Sequence, residues 1–245
     1  MLHRAFVLLS GGLDSTVLLY QALRDMGDNS ENVEAITFNY AQRHKKEIEH
    51  ARRIAKYTAV RHHVRDVGPI FGPSLLTDPD AKIPDVHYSD MAPGASPTVV
   101  PFRNGTLLAL ATVHALQWAN RQFKQIDREG TMISVDARAT IYFGEHADDA
   151  HNWAYPDCTP EFMGSMGSAM SIATEGRVRL VTPFQFMRKW QIVKHGFELG
   201  AALDTWSCYK GGELHCGRCP TCYARQEAFK LAGYSDPTEY ESQRQ

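Results

Sequence analysis

The sequence of 245 residues lacks an excess of charge of either sign. Its 26 basic residues stand against 28 acidic ones, which leaves a formal net charge of −2. Proteins that bind nucleic acid or membrane surfaces through bulk electrostatics normally carry a clear basic excess. The charge balance therefore argues against both classes, and we expect no membrane partner and no direct nucleic-acid partner.

Long apolar runs are missing as well. No segment approaches the ~20 consecutive apolar residues that a membrane-spanning helix needs. Residues 1–4 lead directly into a run that is typical of a buried strand, which leaves no room for a signal peptide. The expected location is the cytoplasm.

Cysteine is scarce and unevenly placed, since four of the five cysteines fall between residues 208 and 222. An odd number without a secretion signal argues against a disulfide framework. Cys216, Cys219 and Cys222 form two Cys-x-x-Cys spacings, and together with Cys208 they supply four thiolates for structural zinc. An iron–sulfur cluster and free thiols are the alternatives. A bacterial ferredoxin run would need a further Cys-Pro after Cys222, which this chain does not have, and this favours zinc.

The strongest local pattern is Ser10-Gly11-Gly12-Leu13-Asp14-Ser15-Thr16. It follows an apolar, strand-like run and opens an apolar-periodic helix. Glycine permits a positive φ and lets a ligand approach the backbone, and the start of a helix favours an anion. The alternative is a plain strand-to-helix turn capped by Asp14, but the serines on both sides of the turn favour a phosphate-binding loop. The loop lacks the lysine of a Walker A motif.

The spacing of apolar residues predicts the fold. Strands at 4–10, 33–40 and 60–67 alternate with helices at 14–26 and 42–59. Such alternation is typical of an α/β protein with a parallel sheet covered by helices on both faces, and ligands bind such sheets at the carboxyl ends of the strands.

Several basic residues occupy positions where a helix begins, although a positive charge there opposes the helix dipole. Arg43 and His44 follow the second predicted strand, and Lys189 lies in the first turn of the last main helix. Arg103 and Asn104 precede a helix that is predicted from Thr106 onward; ordinary capping by Asn104 is the alternative there. We interpret the basic positions as candidates for contacts with phosphate or carboxylate groups.

Two further stretches suit a ligand site. Residues 68–101 are rich in proline, glycine and aspartate without periodicity, which suggests a lid or binding loop. Residues 144–162 hold a dense run of ionisable and aromatic side chains after a predicted strand, which suggests a substrate loop. Cys158 within this run is more typical of a small buried hydrophobe than of a nucleophile.

These motifs together resemble a known family. The loop at residues 10–15 resembles the SGGxDS signature of PP-loop ATP pyrophosphatases, which split ATP between the α and β phosphates. Nearly end to end, the chain resembles the QueC family of 7-cyano-7-deazaguanine synthases within that superfamily. The matching segments are residues 10–15, 38–44 with Glu47, 101–104, 155–158 with Glu161 and Phe162, 182–183 with Lys189, and the four cysteines followed by Arg225.

The resemblance implies a ligase reaction. The carboxylate of 7-carboxy-7-deazaguanine is adenylated, ammonia displaces AMP to give the amide, and adenylation of the amide oxygen lets a second AMP leave as the nitrile forms. ATP, Mg²⁺ and structural Zn²⁺ are the implied cofactors, and a homodimer is the implied assembly. The run from Asp149 to Tyr155 is longer than is usual in the family, and residues 122–138 look inserted. One alternative is therefore a relative that stops at the amide or joins the carboxyl group to another amine. Others are a PP-loop tRNA thiolase and a non-catalytic zinc module.

The resemblance also assigns roles to residues. The implied fold is a Rossmann-like, adenine nucleotide alpha hydrolase-like sheet at residues 1–200, the ATP-binding and catalytic domain, with a small four-cysteine zinc-binding helical lobe at 201–245. Asp157 and Glu161 are predicted to bind the N–H edge of the base, and Tyr155 or Trp153 to stack on it. The implied ATP-binding residues are Leu9, Ser10, Gly11, Gly12, Leu13, Asp14, Ser15, Thr16, Val17, Phe38, Gln42 and His44. The implied catalytic residues are Asp14, Arg43, Arg103 and Lys189. The implied substrate-binding residues are Asn104, Tyr155, Asp157 and Glu161, and the implied metal ligands are Cys208, Cys216, Cys219 and Cys222.

Overall fold

A computed structural model describes residues 1–42, 45–72, 74–78, 80–90, 94, 96–123, 125–126, 132–133 and 136–241. Its main sheet has five strands, all parallel, in the order β3-β2-β1-β6-β7. They are β1 (Leu2–Leu8), β2 (Val33–Asn39), β3 (Arg61–Asp66), β6 (Ala137–Tyr142) and β7 (Val178–Val181). Two short strands, β4 (Gln125–Ile126) and β5 (Met132–Ile133), pair antiparallel as a separate ribbon.

Helices connect the strands and cover both faces of the sheet. They are α1 (Leu13–Asp25), α2 (Lys46–Tyr57), α3 (Arg103–Phe123), α4 (Ala147–Ala150), α5 (Pro160–Ala173), α6 (Lys189–Glu198) and α7 (Pro220–Ala232). Short 3-10 helices occur at Ser30–Asn32, Tyr88–Asp90, His151–Trp153 and Pro156–Cys158.

β1 lies at the centre of the sheet, and its side chains enter two cores. Ala5 and Val7 pack with α1, α2 and α6 on one face. Phe6 and Leu8 pack with α3 and α5 on the other face. A strand buried on both faces reads as a continuous apolar run, as this one does. The predicted class, an α/β protein with a parallel sheet between two helical layers, is confirmed.

Helix α3 starts at Arg103, earlier than the predicted start at Thr106. Arg103 and Asn104 therefore belong to its first turn. The Asp157 carboxylate accepts a hydrogen bond from the Asn104 N–H at 3.0 Å and satisfies a group that the helix itself leaves unpaired. An acceptor supplied from so far along the chain leaves no mark in the local sequence.

The C-terminal part packs on the main body through α7. Ala228 and Phe229 of that helix join the core that also holds Ile192 and Val193 of α6. Within the described parts of the chain, no helix combines the length and apolar character that crossing a bilayer requires.

Candidate active site

A cavity of about 870 Å³ lies at the carboxyl ends of β1, β2 and β6. Its walls come from the loop before α1, the start of α3, the segment after β6, the start of α6 and residues 206–209. The predicted site residues that line it are Leu9, Ser10, Gly12, Leu13, Asp14, Ser15, Phe38, Gln42, Arg103, Asn104, Tyr155 and Lys189. The edge of the sheet therefore collects side chains that lie far apart in sequence, as parallel topology requires.

The loop at residues 10–15 is shaped by its own polar groups. The Ser10 N–H donates to Ser15 Oγ at 3.1 Å, and the Gly12 N–H donates to Ser10 Oγ at 3.2 Å. Gly12 is the N-cap of α1 and supplies no capping side chain, so no side chain of that residue competes for the first amides of the helix. This is the arrangement in which a helix start binds an anion.

Gly11 is required where it stands. Its φ is +94°, and a Cβ there would lie 2.1 Å from the carbonyl oxygen of Glu47 in α2. Its own carbonyl accepts the Trp206 N–H at 3.0 Å. Gly11 therefore lets three segments meet at the loop, and it does not itself line the cavity.

Two predicted ATP-binding residues lie in the core instead of at the cavity. Thr16 is fully buried, and its hydroxyl donates to the Gly12 carbonyl at 2.8 Å. Val17 is fully buried among the apolar residues of α1 and α6. Both residues fix the loop on its helix.

An ion pair stands next to the loop. Lys189 Nζ donates to Asp14 Oδ2 at 2.6 Å, and His146 Nε2 lies 3.7 Å from the same oxygen. Burial alone would raise the pKa of Asp14, but Lys189 and then His146 hold it below its ordinary value. Burial likewise opposes the charge of Lys189, whose pKa Asp14 nevertheless raises. Both groups are therefore charged near neutral pH, and Asp14 Oδ1 has no partner among the described residues.

The positive charge of Lys189, which is unfavourable at a helix start, is compensated by a nearby acid. Its backbone N–H donates to Asp148 Oδ2 at 2.8 Å, so an acid from α4 caps α6. From the sequence, His146 and Asp148 were candidates only for metal ligands, with a solvated acidic turn as the alternative. The signal that was available is their position directly after β6, at the ligand-binding edge.

Asp157 and Glu161 do not line the cavity. The Asp157 carboxylate is buried and engaged with the Asn104 N–H, while the Asn104 side chain donates to Cys158 Sγ at 3.2 Å. Glu161 is exposed in the first turn of α5. Asp157 thus joins the 155–158 segment to the start of α3, which holds Arg103 at the cavity.

Tyr155 and Trp153 differ in their surroundings. The Tyr155 hydroxyl lies 2.6 Å from Thr98 Oγ1, and its ring lines the cavity. Trp153 is 61% exposed. Asn152 and Trp153 have φ values of +51° and +59°, a strained conformation for residues other than glycine. Strain of this kind concentrates in segments that contact ligands.

Glu145 is a cavity residue that sequence reasoning missed. It is 2% exposed, and neither carboxylate oxygen makes a hydrogen bond with the described residues. Burial raises its pKa to about 8; its own N–H and Thr182 oppose this rise, and the charge of Asp149 adds to it. Burial without a partner is a tertiary property, so the sequence offered only an acid that follows a strand.

The segment after β2 is described only in part. Gln42 Oε1 accepts the Tyr40 N–H at 2.9 Å, and its amide donates to the Phe38 carbonyl at 3.2 Å, so Gln42 closes the bend. Arg43 and His44, predicted to be catalytic and ATP-binding respectively, lie outside the described residues.

The four cysteines form a buried cluster whose sulfur atoms all lie within 4.8 Å of one another. Cys216 Sγ and Cys222 Sγ are 3.9 Å apart. A tetrahedral zinc with ~2.3 Å bonds to sulfur requires a separation of ~3.8 Å between sulfurs. The Cys216 N–H donates to Cys208 Sγ at 3.4 Å, as is usual for a thiolate ligand. The donor set therefore fits zinc.

His215, which precedes Cys216, is not needed as a ligand for zinc. Its Nε2 accepts the Ser207 N–H at 3.0 Å, and burial followed by the charge of Arg225 lowers its pKa to about 4. The neutral ring thus holds residues 206–209, which form one wall of the cavity, in place.

Arg225 organises the rest of this lobe. It is fully buried and binds the Asp236 carboxylate through Nε and Nη2 at 3.1 Å. Its other donors reach Thr205 Oγ1 at 2.6 Å and the Leu203 carbonyl at 3.1 Å. These contacts fix the segment that carries Trp206 and Ser207 to the cavity.

Comparison with known proteins identifies relatives along almost the whole chain. The family model described as queuosine biosynthesis protein QueC matches residues 4–126 and 131–233. The 7-cyano-7-deazaguanine synthase of Caldicellulosiruptor bescii is 39% identical over 241 residues, which cover 97% of each chain. The protein of the same name from Rhizobium leguminosarum is 40% identical over 98% of this chain and 93% of its own. Among solved structures, NMN synthetase from Francisella tularensis aligns with a TM-score of 0.43 and 12% identity over 95% of this chain and 77% of its own.

Proposed function

We infer that this chain, which belongs to the QueC family, converts 7-carboxy-7-deazaguanine and ammonia to 7-cyano-7-deazaguanine with the use of ATP. Relatives that match along nearly their full length carry the name of that synthase. The observation that supports the reaction most directly is one cavity that joins a glycine-bearing, serine-bracketed loop to the Asp14–Lys189 pair and Arg103.

The first half of the reaction is activation of the carboxylate. The loop at residues 10–15 would hold the phosphates through its amides and the start of α1. The substrate carboxylate oxygen would attack the α-phosphorus, and pyrophosphate would leave. Lys189 and Arg103 would offset the negative charge that develops, while Asp14 keeps Lys189 charged and in place.

The second half makes the carbon–nitrogen bond. Ammonia would attack the acyl adenylate and release AMP, because AMP is a far better leaving group than an oxide ion. The amide oxygen would then be adenylated in the same way. Loss of the remaining N–H protons and of the second AMP leaves the nitrile, so each product requires two ATP.

The cofactors and assembly follow the family. Mg²⁺ would accompany ATP and offset phosphate charge. The cysteine cluster would hold zinc, with Cys208, Cys216, Cys219 and Cys222 as the ligands, and its role would be to fix the wall formed by residues 206–209. We also propose a homodimer in the cytoplasm that needs no nucleic acid for the reaction, and light scattering of the purified protein tests the dimer.

Mass spectrometry tests the proposal. Purified protein is incubated with ATP, Mg²⁺, ammonium and 7-carboxy-7-deazaguanine, and we expect the nitrile, AMP and pyrophosphate. An amide that accumulates and is not converted further would instead support the variant that stops at the amide. Absence of AMP with this acid, in protein that contains its metal, would contradict both.

A further inference from the structure

The proposed reaction assigns no role to the carboxylate of Glu145. It follows β6 and is 2% exposed. Neither of its oxygens makes a well-formed hydrogen bond in the part of the chain that the structure describes, and the nearby Glu145 N–H and Thr182 hydroxyl offset the effect of burial only in part. Burying a carboxyl group without well-placed donors costs free energy, and donors from a bound ligand would offset that cost.

Glu145 lines the same cavity as the Asp14–Lys189 pair. Its neighbour His146 reaches that pair, with Nε2 3.3 Å from Lys189 Nζ. Asn104, Tyr155 and Cys158 also line this cavity.

The other acids of the 144–162 run have different tasks. Asp148 caps α6 through the Lys189 N–H, and Asp157 binds the Asn104 N–H. Asp149 Oδ2 lies 3.4 Å from His146, and Glu161 is exposed on α5. Within this run, all of which the structure describes, Glu145 is the acid with both oxygens buried and unpartnered.

We propose that Glu145 recognises the 7-deazaguanine base by accepting hydrogen bonds from its ring N–H and its exocyclic amino group. Two neighbouring donors on the base match the two oxygens of one carboxylate, and this pairing would favour the charged form of a group that the free chain keeps mostly protonated at neutral pH. The proposal rests on the proposed function, because that function supplies the base. It reassigns to Glu145 the contact that the sequence predicted for Asp157 and Glu161.

The test measures the preference for the amino group. Acid-dependent exchange of pyrophosphate into ATP is followed with 7-carboxy-7-deazaguanine and with its analogue that lacks the 2-amino group. The wild type should favour the amino-bearing acid ~100-fold in kcat/KM, because the analogue leaves a buried acceptor unpaired. Glu145→Gln should lose ~100-fold with the amino-bearing acid and less than ~5-fold with the analogue, since its amide places a donor against a donor. The preference should therefore disappear.

Two further variants provide controls. Glu145→Asp keeps the charge on a shorter side chain, so it should lower kcat/KM ~10-fold with the amino-bearing acid and retain part of the preference. Glu31→Gln changes an exposed carboxylate in the short helix before β2 and should leave both values unchanged. Thermal unfolding of each variant establishes that it is folded.

The outcomes separate the two claims. If the wild type shows acid-dependent exchange and Glu145→Gln keeps the wild-type preference for the amino-bearing acid, the role of Glu145 is overturned and the proposed function stays intact. An ordered solvent molecule would then be the hydrogen-bond partner of Glu145. No acid-dependent exchange in the wild type would overturn the proposed function and this inference with it. If Glu145→Gln does not fold, Glu145→Asp decides: a larger loss with the amino-bearing acid supports the inference, and equal losses overturn it.

Discussion

At the scale of single residues, the Asp14–Lys189 pair is the most consequential contact of the site. Its two side chains are 23% and 15% exposed, so each depends on the other for charge compensation. We expect Lys189→Met to lower kcat ~10²-fold, because a cation beside the reacting phosphate is lost. It should also reduce the free energy of unfolding by about 2 kcal/mol, because the Asp14 carboxylate is left buried without its partner. Steady-state kinetics and urea unfolding measure the two effects.

A double variant separates catalysis from stability. Asp14→Asn combined with Lys189→Met removes both charges, so most of the lost stability should return while activity stays low. A double variant that is as unstable as Lys189→Met alone would contradict the ion-pair explanation. Lys189→Arg, which keeps the charge, is the matched control for packing.

Glu145 should impose a pH dependence on stability. Its pKa is about 8 in the folded chain against an ordinary 4.5, so unfolding releases its proton between these values. Stability from this group is complete below pH 4.5 and is lost as the pH rises toward about 8. Glu145→Gln cannot titrate. The free energy of unfolding of Glu145→Gln, relative to that of the wild type, should therefore increase by up to about 1 kcal/mol for each pH unit in this window. Urea unfolding across the window measures the difference, and parallel curves would contradict the raised pKa.

The residues that the sequence could indicate are those that break a local rule. Lys189 opposes a helix dipole, and Gly11 and Gly12 interrupt an apolar run, so each stands out in its own neighbourhood. Glu145 breaks no local rule. Its significance arises from burial and from the lack of well-formed hydrogen bonds with the described residues, which only the folded chain defines. The engagement of Asp157 by the Asn104 N–H was hidden for the same reason.

At the scale of elements, the contact between the phosphate loop and α2 depends on Gly11. A Cβ there would meet the Glu47 oxygen at 2.1 Å and the Ala51 nitrogen at 2.8 Å, both of them backbone atoms that cannot swing aside. We expect Gly11→Ala to cost about 3 kcal/mol of stability and to weaken ATP binding. Urea unfolding and calorimetric titration with ATP measure these losses.

Gly27→Ala is the matched control. Its φ is +71°, but no atom of the described residues lies within 4 Å of the added methyl group. The cost should therefore be about 1 kcal/mol from backbone conformation alone, without an effect on ATP binding. Equal losses of stability and of ATP binding in Gly11→Ala and Gly27→Ala would show that the close contact between Gly11 and α2 does not contribute.

The segment of residues 83–90 depends on the cysteine lobe. Asp85 pairs with Lys210 and with Arg218, whose Nε lies 3.1 Å from its carboxylate. Tyr88, which lines the cavity, bonds to Glu227 of α7. Ile83 packs in the same cluster as the four cysteines. A metal held by the four cysteines would thus fix residues 206–209, which form one wall of the cavity, and residues 83–90, which carry Tyr88.

Removal of zinc should loosen this segment. Treatment with a chelator should speed amide hydrogen exchange in residues 83–90 and 206–209 by ~10-fold or more. Exchange in α3 should stay unchanged, because that helix packs on the opposite face of the sheet. Metal analysis must show that zinc has left; unchanged exchange after its loss would contradict the coupling.

The elements were largely predictable because their signals are local. β1 and β2 coincide with largely apolar runs, β3 is mostly polar, and the alternation of strands and helices indicates parallel pairing. Helix starts were less predictable. That of α3 is set by Asp157 from elsewhere in the chain, and no pattern around Thr106 contains that information.

At the scale of the whole molecule, the two strongest sequence signals turn out to be neighbours. The phosphate loop and the cysteine lobe meet where the Trp206 N–H binds the Gly11 carbonyl at 3.0 Å. The sequence predicted each motif from its spacing, but no spacing predicts their contact. The division into a catalytic domain at 1–200 and a zinc lobe at 201–245 stays a prediction, and α7 packs into the core of the main sheet.

One measurement tests the central claim, that this cavity forms a nitrile through two adenylations. The substrate carboxylate is labelled with ¹⁸O at both oxygens, and AMP and the deazaguanine product are analysed by mass spectrometry. We predict two AMP molecules for each nitrile, each with one labelled oxygen, because each carboxylate oxygen leaves on the α-phosphate. Label in phosphate or pyrophosphate, or a nitrile formed with unlabelled AMP, would contradict the account.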